Sequence, residues 1–248
     1  MKEKLEENAQ MRFARQLILP QIGEKGQRKL GASVVSICGI GGLGSPAAQY
    51  LVAAGVGEIR LIDKDPVEIS NLNRQVLHWE EDCDASSPKV ESAARKLRKM
   101  SSSTNVIVHN AEITDENVHE LLIGSDVVVD CLDNYSTRFI VNRACLYHRI
   151  PLVHAAVEGW RGQATVVLAG ATPCISCLVK RVPEVDRPTP IIGATAGVFG
   201  CIQAAEAIKL IVDADGALVG RLLIGDLLSM HFEVVDVERA PDCIVCGR

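Results

Sequence analysis

The chain of 248 residues is 48% hydrophobic and only 4% aromatic, enough to bury one large core built from aliphatic side chains. Its 31 acidic and 26 basic residues leave a formal net charge of −5, without the basic excess that nucleic-acid binding uses. The charged opening through Gln10 lacks the apolar run of a secretory leader, so the nine cysteines are expected in a reducing, cytoplasmic setting and not in disulfides.

The first thirty residues are polar and expected to be helical, with Arg12 and Arg15 among apolar neighbours as solvated cations on a capping helix. β-Branched residues over 34–38 then predict a buried strand. It runs into Gly39-Ile40-Gly41-Gly42-Leu43-Gly44, and Pro46 opens an alanine-rich helix through Ala54. In such a unit the first glycine permits the tight turn, the second lets amide N–H groups approach an anion, and the third lets helix and strand pack closely. The helix N-terminus adds partial positive charge, which makes the unit a seat for phosphate. About 20 residues further on, residues 58–62 predict a second strand ending at Asp63, where a ribose hydroxyl would find its acceptor.

Residues 67–75 are polar and fit neither helix nor strand. Ser86-Ser87-Pro88-Lys89 is a helix-start signal for 90–100, followed by a strand at 105–109, a helix at 117–123 and a strand at 126–130. A helix over 134–148 and a strand at 151–153 complete a β/α alternation from 33 to 155. That alternation predicts an α/β fold with a doubly wound, mostly parallel, Rossmann-like sheet, its ligand beyond the carboxyl ends of the strands. The pattern then changes: strands at 163–168, 221–224 and 231–237, the last two with no helix between them, predict an antiparallel C-terminal extension. Between the first and second of these strands lie a proline-rich loop, 182–190, and a long apolar helix rich in small residues, placed centrally or at a subunit interface. Gln203, Glu206 and Lys209 recur every third residue along it, which marks a polar stripe on an amphipathic helix and argues against a membrane span.

Cys174-Ile175-Ser176-Cys177 and Cys243-Ile244-Val245-Cys246 are two C-x-x-C hooks. Four thiolates in two such hooks suit a closed tetrahedral zinc site that pins the tail to the loop after the 163–168 strand. Cys38, Cys131, Cys145 and Cys201 sit in apolar settings and read as core, with Cys83 scattered among them.

The glycine signature most often serves a nicotinamide or flavin dinucleotide. Here, however, Asn71, Arg74, Gln75 and Lys89 fall at the ligand end, and cations suit a triphosphate better than a pyrophosphate held by a helix N-terminus. Asp130 and Asp133 are candidates for magnesium. Taken singly, Arg74 and Lys89 read as surface charge and Asp133 as a helix N-cap; their joint placement around one site favours binding.

Gly39 to Gly44, Ser70-Asn71-Leu72-Asn73-Arg74-Gln75, Pro88-Lys89-Val90-Glu91, Asp130-Cys131-Leu132-Asp133-Asn134 and the paired hooks together resemble the ThiF/MoeB/HesA family, from about Arg12 to Cys246. The resemblance implies a single adenylating domain over 1–248: an N-terminal helical arm (1–32), a nucleotide-binding half (33–155), and an extension with crossover loop and zinc site (156–248). It implies ATP- and Mg2+-dependent adenylation of a carboxylate, usually the C-terminal glycine of a ubiquitin-like sulfur-carrier protein, by a homodimer. The implied nucleotide contacts are Gly39, Gly41, Gly42, Asp63, Asn71, Arg74, Gln75, Lys89, Asp133 and Asn134. Of these, Asn71, Arg74 and Lys89 would hold phosphates and Asp133 magnesium, while Arg15 would reach the partner subunit's ATP. The crossover, residues 179–192, departs from thioester- or persulfide-forming members in having no cysteine. The implied product is therefore an acyl-adenylate handed to a downstream acyl or sulfur acceptor protein. A small-molecule carboxylate is the alternative substrate. A dinucleotide oxidoreductase and a non-catalytic partner subunit are the other classes, and an inactive subunit has no use for Arg15, Arg74, Lys89 and Asp133 together.

Overall fold

The computed structural model describes residues 7–179 and 189–247. Among them, β1 (Val34–Cys38) sits between β2 (Glu58–Ile62) and β4 (Val127–Asp130). Strand β3 (Asn105–His109) lies outside β2, and β5 (Leu152–Glu158) lies beyond β4; all four of these pairings are parallel. The sheet continues through β6 (Arg161–Val167), β7 (Arg221–Asp226) and β8 (His231–Asp236), each antiparallel to the last. The order is β3-β2-β1-β4-β5-β6-β7-β8, with five parallel strands and an antiparallel extension. Both faces of the central strands are covered, which is why β1 and β4 read as nearly unbroken apolar runs. Ser36, the polar residue of β1, is buried with its hydroxyl paired to that of Ser125 at 2.7 Å.

In chain order the helices are α1 (Glu7–Arg12), α2 (Ala14–Leu17), α3 (Gly23–Ala32), α4 (Gly44–Ala54), the short α5 (Glu80–Asp84) and α6 (Lys89–Met100). They are followed by α7 (Val118–Leu122), α8 (Tyr135–His148), the single turn α9 (Ile175–Leu178) and α10 (Gly193–Val212). Two cores result. Leu51, Leu97, Phe199 and Ala207 belong to one, built from α4, α6 and α10 against the sheet. Leu122, Val141 and Ile175 belong to the other, built from α7, α8 and α9.

Two sequence expectations change. Strand β5 runs on to Glu158 instead of stopping at Val153, because antiparallel pairing with β6 across Gly159 and Trp160 extends it by five residues. The polar stripe on α10 is no solvated face. Gln203 is fully buried, its Nε2 donating to the Asp130 and Val153 carbonyls at 2.6 and 3.2 Å. Glu206 is buried too, its carboxylate accepting from the Leu218 amide at 2.7 Å. Only Lys209 reaches outward, pairing with Glu206 and donating to the Gly216 carbonyl. By length and composition α10 could cross a membrane, but here that apolarity is used in the core against α4 and the sheet. Gly200 lets the two helices close up, since a Cβ there would lie 2.4 Å from the Leu43 carbonyl oxygen. The proline-rich part of the crossover, including Pro183 and Pro188, falls outside the described residues.

Candidate nucleotide site and cysteine cluster

The glycine turn lies at the carboxyl end of β1, in the cleft where the sheet order reverses between β1 and β4. Gly39 has φ +91°, and a Cβ on it would press 2.7 Å from the Cys131 carbonyl oxygen. A Cβ on Gly44 would lie 2.0 Å from the Gly39 carbonyl oxygen, so both positions admit glycine alone. Gly41 is different: among the described residues, and beyond its own neighbours, a Cβ there would meet only the Gln75 side chain within 4 Å, so its face is open. Gly42 packs toward Arg74 and Ala196. The Ile40 amide donates to Asp63 Oδ2 at 2.8 Å and the Asp65 amide to Oδ1 at 2.9 Å, which locks the Asp63 carboxylate at the tip of β2. Burial pushes that carboxyl above its ordinary range, against the pull of Lys89 and of those two amides.

Around this turn three buried polar atoms lack a partner among the described residues: Gln75 Oε1, Ser45 Oγ in the first turn of α4, and Thr195 Oγ1 in the first turn of α10. Gly193, at the start of α10, abuts the Asn73 carbonyl and the Arg74 backbone, so the two helix N-termini flank the same cleft. An open glycine floor, orphaned polar atoms and two rows of N–H groups fit a nucleotide with phosphates.

The other sequence candidates are placed as follows. Asn71 is buried, its Oδ1 accepting from the Glu68 amide at 3.4 Å and its Nδ2 donating to Ser70 Oγ at 3.3 Å. Arg74 is half-buried and donates to Ser70 O at 2.9 Å and Asn73 Oδ1 at 3.2 Å, with no carboxylate partner among the described residues. Lys89, at the N-terminus of α6, is buried with its ammonium 3.0 Å from Asp65 Oδ2. Asp133 is exposed, and among the described residues its Oδ1 accepts only from Asn134 Nδ2 at 3.3 Å. The N-cap of α8 is Asn134, not Asp133: Asn134 Oδ1 accepts from the Thr137 amide at 2.9 Å. That frees the Asp133 carboxylate for a cation.

Asp130 is not free. It is fully buried at the end of β4, 2.6 Å from His154 Nδ1 and 3.5 Å from Arg138 NH1, so it holds the fold together and is removed as a magnesium ligand. Burial alone would raise its carboxyl, but Arg138 and His154 outweigh burial and hold it below its ordinary range. Arg138 donates also to Ala155 O at 2.7 Å and to Leu132 O, fixing the loop that presents Asp133. Sequence reading missed Arg138 and His154 because their partners come from three separate segments. Replacing Arg138 by Met strands a buried carboxylate, so urea unfolding at neutral pH should show a loss of about 3–5 kcal/mol. Part of that loss should return when Asp130→Asn is added.

Arg15 is not brought to this cleft. It is exposed on α2, with no partner among the described residues. Its neighbours are tied to the far end of α4: Phe13 packs on Gly55, and Gln16 Nε2 donates to Ala54 O at 3.0 Å. The eleven residues of α4 separate that end from the glycine turn by about 16 Å. Within one chain Arg15 therefore stands away from the phosphate seat.

On the other core, Cys174, Cys177, Cys243 and Cys246 bring their sulfurs within 4.8 Å of one another, with individual contacts of 3.9, 3.8 and 3.3 Å. A zinc ion with Zn–S bonds of about 2.3 Å sets tetrahedral S···S edges of about 3.8 Å. The separations are far too long for disulfides, and the cysteines are free. Asn142 Oδ1 orients the first hook by accepting from the Ile175 amide at 3.1 Å. Burial pushes the Cys174 thiol up to about 12.

Residues 13–245 match the ThiF family model. The chain belongs to the ThiF family and is an adenylyltransferase. It is 45% identical to the SAMP-activating enzyme E1 of Haloferax volcanii over 96% of this chain and 88% of that protein. It is 41% identical to the adenylyltransferase and sulfurtransferase MOCS3 of Mus musculus over 96% of this chain, spanning about half (53%) of that longer protein. Among solved structures, MccB of E. coli with MccA-N7isoASN superposes with a TM-score of 0.86 at 25% identity, covering 99% of this chain and 76% of that one. MccB with ATP gives a TM-score of 0.81 at 26% identity over 90% of this chain and 70% of that one.

Proposed function

We propose that this enzyme adenylates the C-terminal glycine of a ubiquitin-like sulfur-carrier protein, using ATP and releasing pyrophosphate, as a cytoplasmic homodimer. The observation that carries this is the open Gly41 face at the end of β1, with Asp63 held beside it by the Ile40 amide, Lys89 close enough to act on the Asp63 carboxyl, and Arg74 against Gly42. The likeness to a SAMP-activating E1 and to an MccB structure holding ATP supports it. The ribose hydroxyls fall to Asp63 and the phosphates to Asn71, Arg74 and Lys89. Gly39, Gly42, Gln75 and Asn134 complete the cradle.

The substrate carboxylate attacks the α-phosphorus in line, its oxygen forms the acyl-phosphate bond, and the bond to the β-phosphate oxygen breaks with its electrons leaving on pyrophosphate. A terminal carboxylate is already ionised near neutral pH, so no general base is required. Positioning and charge neutralisation carry the rate. Asp133, exposed and without a cation partner among the described residues, would hold Mg2+, which supplies charge neutralisation at the phosphates. The four cysteines would hold a structural zinc. With no cysteine in the crossover, the acyl-adenylate would pass to a separate acceptor.

The position of Arg15 favours a dimer in which it reaches the partner's phosphates. Arg15→Ala and Arg74→Ala proteins should each be inactive in ATP–pyrophosphate exchange. When mixed and allowed to exchange subunits, they should recover about a quarter of wild-type activity, because one site in each mixed dimer is whole. Recovery at the level of the separate variants would refute action across an interface. The fold likeness to MccB in complex with MccA supports, as a second reading, a small carboxylate in place of a carrier protein. Pyrophosphate release against a panel of sulfur carriers, short peptides and small acids separates the two. Thermal stabilisation by NAD and not by ATP would overturn both.

A further inference from the structure

Behind the glycine turn lies a chain of buried polar groups that the phosphate site does not itself explain. His78 is 3% exposed and bridges two elements: its Nε2 lies 2.8 Å from the Ile40 carbonyl oxygen and its Nδ1 2.9 Å from Ser92 Oγ on α6. Ser92 Oγ is also 3.0 Å from Lys96 Nζ, which donates further to Leu77 O at 2.7 Å and to the buried carboxylate of Asp82. The direction of every bond follows. The ammonium can only donate, so Ser92 accepts from it and spends its own hydroxyl hydrogen on Nδ1. The Ile40 carbonyl can only accept, so the ring hydrogen is on Nε2. Burial holds the ring's pKa down at about 4, so the imidazole is neutral at neutral pH.

We infer that His78 is a positioning residue for nucleotide binding: by holding the Ile40 carbonyl inward it turns the Gly41 N–H outward, as a preset donor to the phosphates. In a trans peptide the C=O and the following N–H point in opposite directions, so fixing one aims the other. The adjacent peptide is fixed from the other side, by the Ile40 amide on Asp63. Both planes at the open face are thereby clamped, one from β2 and one from α6 through His78. The Gly41 amide itself donates to no other group among the described residues, and its surroundings are the open part of the turn. Glycines rotate freely, so without the clamp this N–H would sample orientations that a phosphate must pay entropy to select.

This rests on the turn being the ATP seat, and titration calorimetry with ATP on the wild-type protein tests that premise first: no binding would sink the proposed function itself. Given binding, His78→Leu keeps the volume and loses the donor, and should weaken ATP about tenfold. It should act chiefly through Kd and KM, with kcat altered less. His78→Gln can place an amide N–H near Nε2 and should restore affinity to within about threefold of wild type. Ser92→Ala should weaken ATP a few-fold in the wild-type background and add nothing in His78→Leu, the signature of one shared path. Wild-type ATP affinity in His78→Leu would overturn the inference. So would a His78→Gln protein as impaired as His78→Leu at equal melting temperature, which would assign the effect to packing. Should His78→Leu fail to fold, Ser92→Ala and His78→Gln decide alone: wild-type affinity in Ser92→Ala, or a tenfold loss in His78→Gln, overturns it.

Discussion

Arg74→Ala is expected to lower ATP–pyrophosphate exchange by about two to three orders of magnitude, the range for removing one preorganised charge from a transition state. The fold should survive. Arg74 holds no carboxylate among the described residues, and its two hydrogen bonds go to Ser70 O and Asn73 Oδ1 of the same polar turn. Truncation therefore strands no buried charge, and calorimetry should show a melting temperature within a few degrees of wild type. In the proposed chemistry the charge matters because pyrophosphate would depart with negative charge growing on oxygens that Arg74 and Lys89 are proposed to hold. Lys89 gives a useful contrast. Its ammonium is buried beside Asp65, so Lys89→Ala should cost both activity and stability, whereas Arg74→Ala should separate the two. Arg74→Lys keeps the sign but not the planar fork and is expected to recover only part of the rate. Exchange at the wild-type level in Arg74→Ala would remove the guanidinium from the proposed chemistry.

The strand–turn–helix around Gly39 was plain in the sequence because its signals are local: a β-branched run, glycines at fixed offsets, and Pro46 inside the first turn of α4. Asp63 and Lys89 were legible for the same reason, each marking the end or start of a periodic segment. What stayed hidden depends on partners far apart in the chain. The triad of Asp130, Arg138 and His154 is assembled only when β4, α8 and β5 pack, and each member alone looks like a lone charge or core histidine. His78 follows the polar stretch 67–75 and was assigned to no element, and its meaning comes from Ile40 and Ser92. The stripe on α10 failed for a different reason. A repeat of three places Gln203 and Glu206 on one helix face but does not say whether that face meets water or the ends of β4 and β5. The five-residue extension of β5 was hidden because His154 to Glu158 is stabilised by its partner β6 and not by its own alternation.

Cys243→Ser, or removal of metal by a chelator, is expected to cost more than about 4 kcal/mol and to free the chain beyond β8. Beyond Asp236 the described backbone has no helix or strand, and Cys243 and Cys246 are its buried anchors in the α7–α8–α9 core. Arg239 adds hydrogen bonds to the Gly170 and Cys246 carbonyls, but these hold only if the hooks stay closed. Without a metal, four sulfurs this close must carry protons or repel one another, and burial already disfavours the Cys174 thiolate. Zinc reverses that balance by taking the place of the protons, so the tail should be lost as pH falls and the thiols re-protonate. Metal analysis should find one zinc per wild-type chain and none in Cys243→Ser. Hydrogen exchange should rise at 174–178 and 237–247 before it rises in β1. The glycine turn belongs to the opposite core, so ATP affinity in the folded fraction should change by less than about twofold. A full complement of zinc in Cys243→Ser, or unchanged exchange in the tail after metal removal, would show that the hooks are closed by packing alone.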